Sequence, residues 1–125
     1  MSKIIEGLYY SESHEWVKAV DGVAIIGITD YAQAELGDIT YVDIADVEDI
    51  SAGAEFGALE SVKASSDVFC PVSGRVVAAN DELIDAPEKV NEDPYGSWLI
   101  KVEMSDPSEL DALMDAAAYK ALIGE

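Results

Sequence analysis

Residues 59–67 read Leu59-Glu60-Ser61-Val62-Lys63-Ala64-Ser65-Ser66-Asp67 and lie in the middle of a 125-residue chain. The β-prone run from Glu55 to Val62 leads into Lys63. The run from Asp67 to Val72 leads away from it, with Pro71 confining that second strand to an edge or a break. Gly57 marks a bulge or a close backbone approach. A lysine at a strand-to-strand turn holds its amine in water, within reach of a modifying enzyme or a partner's active site. Val62 and Ala64 are apolar or small and place no acid beside it. A solvated, unmodified turn lysine is the plain alternative from this stretch alone.

The flanks continue the β pattern. Trp16–Val20 and Val23–Ile28 enclose Asp21-Gly22, a strong hairpin signal because both turn residues take positive φ. Thr29-Asp30 caps a short helix, Tyr31–Leu36, which Gly37 stops in the αL conformation. Too short to stand alone, that helix is held by packing through Tyr31, Ala32 and Leu36. Ile39–Ile44 is a further strand, and Ala45–Ala52 is a loop or ragged edge. Gly53 and Ser73-Gly74 are turns, Arg75–Ala79 is a strand, and Asn80-Asp81 turns again. Residues 81–97 form a long irregular connection. Ser97–Val102 closes the β part, with Trp98, Ile100 and Val102 on one face and Leu99 opposite. Asp106-Pro107-Ser108-Glu109 opens an amphipathic C-terminal helix with Leu110, Leu113, Met114 and Ala117 as its stripe, continued by Tyr119–Ile123. The pattern describes one mostly β domain, residues 1–125: a sandwich or flattened barrel of short antiparallel strands, with one short internal helix and a C-terminal helical segment.

Composition narrows the function. Half the residues are hydrophobic, enough for a core, and no apolar run is long enough to span a bilayer. Lys and Arg number 7 against 26 Asp plus Glu, a formal net charge of −19. That excess repels nucleic-acid phosphates and anionic lipid, and suits a monomer that meets partners with basic mouths. No signal peptide is read at Met1–Gly7, so the chain is expected in the cytoplasm. The single cysteine, Cys70, is expected buried and inert, and the single histidine, His14, has no ligand spacing around it for a metal. No phosphate loop, nucleophile elbow or triad is present, so the chain does not read as an enzyme.

The residues around Lys63, Glu60-Ser61-Val62-Lys63-Ala64-Ser65-Ser66-Asp67 with Pro71-Val72-Ser73-Gly74, resemble the lipoylation site of the H protein of the glycine cleavage system. The likeness extends to Ser13-His14-Glu15-Trp16-Val17, Gly27-Ile28-Thr29-Asp30-Tyr31-Ala32-Gln33, Leu36-Gly37-Asp38-Ile39, Asn91-Glu92-Asp93-Pro94-Tyr95 and Trp98-Leu99-Ile100-Lys101-Val102. It covers the chain from about Tyr10 to Tyr119 in the family's order and spacing. The resemblance implies the barrel-sandwich hybrid of lipoyl and biotinyl carriers, with lipoic acid attached covalently to Lys63. It implies a shuttle that takes an aminomethyl group from glycine decarboxylase (P protein) to the aminomethyltransferase (T protein). The dithiol then goes to dihydrolipoamide dehydrogenase (L protein), and lipoate-attaching enzymes are further partners. It also implies a cleft for the loaded arm at Ser13, Glu15 and Asp67, with Ile28 and Leu36 as apolar wall. A protonated amine needs carboxylate partners there, and the stem needs apolar cover.

Some residues depart from the family pattern. Ile44-Ala45-Asp46-Val47-Glu48-Asp49 lacks a Leu-Pro turn ending in Gly. Cys70 stands where a polar residue is common, Arg75 where an acid is common, and Ser97 where Gly precedes Trp98. These touch loop geometry and partner affinity, not the lysine. The competing readings are an H-like lipoyl carrier serving lipoate relay or another lipoate-dependent pathway, and an unmodified β-sandwich adaptor. A biotin carrier would flank its lysine with methionines.

Overall fold

The computed structural model describes residues 2–46 and 48–125; Val47, in the Ile44–Asp49 stretch that departs from the family pattern, lies outside the described residues. Nine strands form two antiparallel sheets among these residues. In chain order they are β1 (Tyr9–Tyr10), β2 (Glu15–Val20), β3 (Val23–Ile28), β4 (Ile39–Ile44), β5 (Asp49–Ile50), β6 (Glu55–Ser61), β7 (Ser65–Phe69), β8 (Gly74–Ala79) and β9 (Ile100–Met104). The larger sheet runs β1-β2-β3-β9-β8-β5 and the smaller β4-β6-β7. Between the sheets lies a core that draws Val17, Ile26 and Ile28 from one side and Val42, Phe56, Leu59 and Val68 from the other. This is the expected two-layer solution for short alternating strands: each sheet buries one face and leaves the other in water.

The Asp21-Gly22 hairpin forms as read, with φ of 50° and 83° at the two turn residues. Thr29 caps helix α1 (Asp30–Leu36) by accepting the Ala32 amide at its Oγ1, 3.2 Å away. Gly37 ends α1 with φ 81° but ψ −161°, so the stop uses a positive-φ conformation other than αL. Ala32 and Leu36 pack on the main core, whereas Tyr31 instead packs against the His14 ring. Gly57 is a close approach at an irregularity of the β6–β7 register: an added Cβ would lie 2.2 Å from the Asp43 carbonyl oxygen. Backbone cannot yield there as a side chain would, so Gly57→Ala is expected to destabilise the domain by about 3 kcal/mol or more in urea unfolding. A loss below about 1 kcal/mol would show that β4 and β6 can separate without cost.

Several boundaries differ from the sequence reading. β6 stops at Ser61 and β7 starts at Ser65, so the first strand is shorter than read, and Pro71 falls outside the second. The connection 81–97 contains two single-turn helices, α2 (Glu82–Asp85) and α3 (Lys89–Glu92), each anchored by one buried residue, Leu83 or Val90. The last strand begins only at Ile100, and Leu99 is buried in the main core together with Ile100 and Val102. Trp98 lies in a second cluster with Lys101 over its ring. The Leu99 amide already donates to the Ile26 carbonyl of β3 at 2.7 Å and its carbonyl accepts the Asn80 amide at 2.9 Å, but strict alternation starts only within β9.

The C-terminal amphipathic helix is not continuous. A 3-10 helix covers Pro107–Ala112, and Leu113 is extended. Met114 then exchanges backbone hydrogen bonds with Tyr10, both 2.8 Å. Asp115 caps a new helix, α4 (Ala116–Leu122), by accepting the Ala118 amide. The stripe splits accordingly: Leu110 joins the main core, Ala116 and Tyr119 join a second core with Tyr10 and Trp16, and Ala117 is exposed. A backbone pairing with a distant strand outweighed local helix periodicity, and Asp115 is the sequence signal for the restart.

Candidate functional site: a lysine on a pinned hairpin

Lys63 sits in the tight turn Val62-Lys63-Ala64 between β6 and β7. Ser61 organises that turn. Its Oγ accepts the amides of Lys63 and Ala64, each at 3.1 Å, and donates to the Ala64 carbonyl at 3.1 Å. Its own amide donates to the Ala64 carbonyl at 2.8 Å. The Val62 amide donates to the Asp38 carbonyl at 3.1 Å, fastening the hairpin to the chain that leaves α1. Asn91, on α3, holds that same corner: it accepts the Ile39 amide and donates to the Gly37 carbonyl and to Gln33 Oε1. The lysine stem crosses Gly37 so closely that a Cβ there would lie 2.9 Å from Lys63 Cε.

The lysine and its neighbours Val62 and Ala64 are exposed, Val62 at 68%. Among the described residues the ion pair found is Lys89–Glu82, so no carboxylate holds the Lys63 ammonium. A fixed backbone under an exposed, unpaired amine fits covalent attachment of a long acyl group: the carrier presents a constant shape while the added stem is free to move. Ser61→Ala removes the hydroxyl that orders the turn. It should lower stability by only about 1 kcal/mol, yet slow the lipoylation of Lys63 that the resemblance implies, measured as the rate of mass gain with a lipoate-attaching enzyme. An unchanged rate would mean that the turn needs no such ordering.

The second group of expected site residues lies at the start of β2. Glu15 is 1% exposed, yet carries a carboxylate. Its Oε1 accepts the Ser11 hydroxyl at 2.6 Å and the Ser13 hydroxyl, and its Oε2 accepts the Phe69 amide of β7 at 3.3 Å. Burial pushes its carboxyl above the usual range, and the Ser11, Ser13 and Phe69 donors offset part of that rise. Ser13 is exposed in front of it. Asp67 is exposed on β7, two residues before Phe69, and so on the same face of that strand as Phe69. Glu15 and Ser13 are therefore in direct contact, while Asp67 is joined to them only through β7. Ile28 is buried in the core opposite Glu15 in the β2–β3 register, and Leu36 is half-buried at the end of α1. Sequence reasoning missed Ser11, the Phe69 amide and Ser61. The spacing Ser11-x-Ser13-x-Glu15 was the available signal for the first.

Cys70 is fully buried, donates to the Val72 carbonyl at 3.1 Å, and burial pushes its thiol up to about 11, so it is inert as read. Among the described residues no helix is long and apolar enough to cross a membrane.

Two packed β-sheets with an exposed lysine on a rigid hairpin turn match the lipoyl-domain-like fold class that the sequence resemblance implies. The comparisons narrow the class further. The Glycine cleavage H-protein family model matches residues 8–125. The chain is 52% identical over 127 residues to glycine cleavage system H protein 2 of Pseudomonas putida, covering 100% of both chains. It is 51% identical over 125 residues to a glycine cleavage system H protein of Anaeromyxobacter sp. (strain K), covering 98% of both. The crystal structure of a glycine cleavage system H protein from Mycobacterium marinum superposes with a TM-score of 0.89 at 34% identity, covering 98% of this chain and 100% of that one. The chain belongs to the glycine cleavage H-protein family.

Proposed function

We propose that this protein is the lipoyl-bearing shuttle of a glycine cleavage system, that Lys63 is the attachment point, and that Ser13, Glu15 and Asp67 form the seat of the loaded arm. The observation that carries the reading is the Ser61-ordered hairpin, which holds an unpaired amine at a fixed place in the fold. When bound, a lipoyl group supplies a disulfide that opens to carry the aminomethyl unit and closes again on reoxidation. The chain's own residues anchor, present and shelter. Lys63 gives the amide link, and Gly37 leaves room for its stem.

Glu15 has capacity left for a cation. Its Oε1 is filled by two hydroxyls, whereas among the described residues its Oε2 accepts the Phe69 amide and keeps one lone pair. A protonated amine brought there would gain a charge-assisted bond under low-dielectric cover, and water would be kept from it. Asp67 adds a second negative charge from the rim. Leu36 and Ile28 offer the apolar side of the seat.

Every chemical step belongs to partner enzymes in this reading. Glycine decarboxylase loads the arm, the aminomethyltransferase unloads it, and dihydrolipoamide dehydrogenase reoxidises it. The chain serves throughout as one carrier domain, monomeric and cytoplasmic, and is not itself an enzyme. The formal charge of −19 keeps copies apart and favours partners with basic docking mouths. The test has two parts. Intact mass of protein from its own host should show one lipoyl or octanoyl increment on the peptide containing Lys63. Glycine decarboxylation reconstituted with the three enzymes should then require that lipoylated form. An unmodified mass would favour a plain adaptor, and activity from unmodified protein would overturn the carrier role.

A further inference from the structure

Tyr119 lies on α4, more than a hundred residues from the start of β2, yet its hydroxyl reaches the site's foundations. It is 2.9 Å from His14 Nδ1 and 2.7 Å from Thr29 Oγ1. Its ring is fully buried and stacked on Tyr10, with centroids 4.6 Å apart. His14 stands between Ser13 and Glu15 and has φ 72°, an uncommon conformation for a residue with a side chain. That turn brings the Ser11 and Ser13 hydroxyls to the Glu15 carboxylate. The His14 carbonyl accepts the Thr29 amide at 3.0 Å. Thr29 is itself the cap of α1, the helix that ends against the Lys63 stem.

Among these four groups, one proton order gives every donor hydrogen an acceptor. The Ala32 amide donates to Thr29 Oγ1, the Thr29 hydroxyl donates to Tyr119, and the Tyr119 hydroxyl donates to His14 Nδ1. His14 is then neutral with its proton on Nε2. Burial lowers the His14 pKa in agreement with this. Burial also pushes the Tyr119 hydroxyl up to about 12, so it keeps its proton.

We infer that Tyr119 is a positioning residue for the arm's seat: its one hydroxyl ties the Ser13–Glu15 corner to the cap of α1. It thereby adds a side-chain tie to the backbone bond from the Thr29 amide to the His14 carbonyl and sharpens how the two sides of the seat sit relative to each other. The inference rests on the role proposed above for Ser13 and Glu15. The strain at His14 gives the reason for such a tie. A left-handed histidine persists only where its surroundings hold it, and the His14 ring packs against both Tyr119 and Tyr31.

Tyr119→Phe removes only the oxygen and keeps the stack on Tyr10. In protein without lipoate, 15N spectra should show His14 moving from a single Nε2–H tautomer to a mixture. Amide exchange at Ala32 should rise about tenfold relative to Val102, the equivalent of one lost hydrogen bond. In lipoylated, loaded protein, loss of the aminomethyl group should quicken about tenfold while the lipoylation rate stays the same. Thr29→Val breaks the same chain at its other end and also removes the acceptor of the Ala32 amide, so Ala32 exchange should rise more than in Tyr119→Phe, while loss of the aminomethyl group in the double variant should be no faster than in Thr29→Val alone. An unchanged His14 tautomer and Ala32 exchange would overturn the inference, as would changed exchange with an unchanged rate of loss. Failure of the carrier reading would be visible separately, as an absence of lipoylation at Lys63 in the unaltered protein.

Discussion

Lys63→Arg is expected to leave the fold and the net charge unchanged and to abolish carrier activity. Arginine is compatible with the exposed turn, because the hairpin is ordered by Ser61 and by the Val62–Asp38 backbone bond rather than by the lysine side chain. Its guanidinium keeps the positive charge at all accessible pH, and it is not an amine that a lipoate-attaching enzyme can acylate. The variant should therefore melt with the unaltered protein and show no lipoyl increment by intact mass. Glycine decarboxylation in the reconstituted system should fall to the level without this protein. Because the attached group is the only means of transfer between active sites, the loss should be complete rather than graded. Residual turnover with the arginine variant would place the attachment elsewhere and remove the basis of the proposed function.

The second large effect belongs to Glu15, and it separates stability from function. Replacing Glu15 with alanine leaves the Phe69 amide and the Ser11 and Ser13 hydroxyls without their acceptor, at a cost of about 1–3 kcal/mol. Replacing it with glutamine keeps an acceptor and removes the buried charge. The carboxyl pKa is raised in the folded protein, so the folded state holds that proton more tightly than the unfolded chain does. Glu15's contribution to stability is therefore fully present below the ordinary carboxylate range and lost as pH rises through the folded pKa. At neutral pH the ionised carboxylate opposes folding, and Glu15→Gln should be at least as stable as the unaltered protein, with its advantage fading toward pH 4. Both variants should be lipoylated normally.

Both should also release the aminomethyl group faster. The increase is roughly tenfold to a hundredfold, which corresponds to a lost hydrogen bond to a charged group of about 1.5–3 kcal/mol. A carboxylate that costs stability while retaining cargo is the expected trade at a functional site. An unchanged release rate in Glu15→Gln would remove Glu15 from the seat, and a destabilised Glu15→Gln at neutral pH would assign its charge a structural role.

Much of this protein was legible in its sequence for local reasons. Asp21-Gly22 specifies its turn because two consecutive positive-φ residues leave few alternatives. Thr29 names the start of α1 because a hydroxyl at that position satisfies a helix amide. Lys63 stands out because it lies between two β-prone runs with Val62 and Ala64, not an acid, immediately beside it. Motifs in family order and spacing then pointed to the family, which the comparisons show.

Only the tertiary structure decided where distant groups meet. The C-terminal stripe of Leu110, Leu113, Met114 and Ala117 has helical spacing, but Met114 pairs with the backbone of Tyr10 and the helix breaks there. Composition alone makes Glu15 one acid among 26 Asp and Glu residues, and the resemblance assigns it to a cleft, yet only the structure shows it buried under Ser11, Ser13 and the Phe69 amide from 54 residues away. Tyr119 reads only as part of the continued C-terminal helix, yet its hydroxyl joins His14 to Thr29. Local pattern fixes conformation within a few residues, because turn and cap energies act over that range. The environment of a carboxylate or a hydroxyl depends on which strands and helices arrive beside it, and that is set by the packing of the two sheets and α4 together.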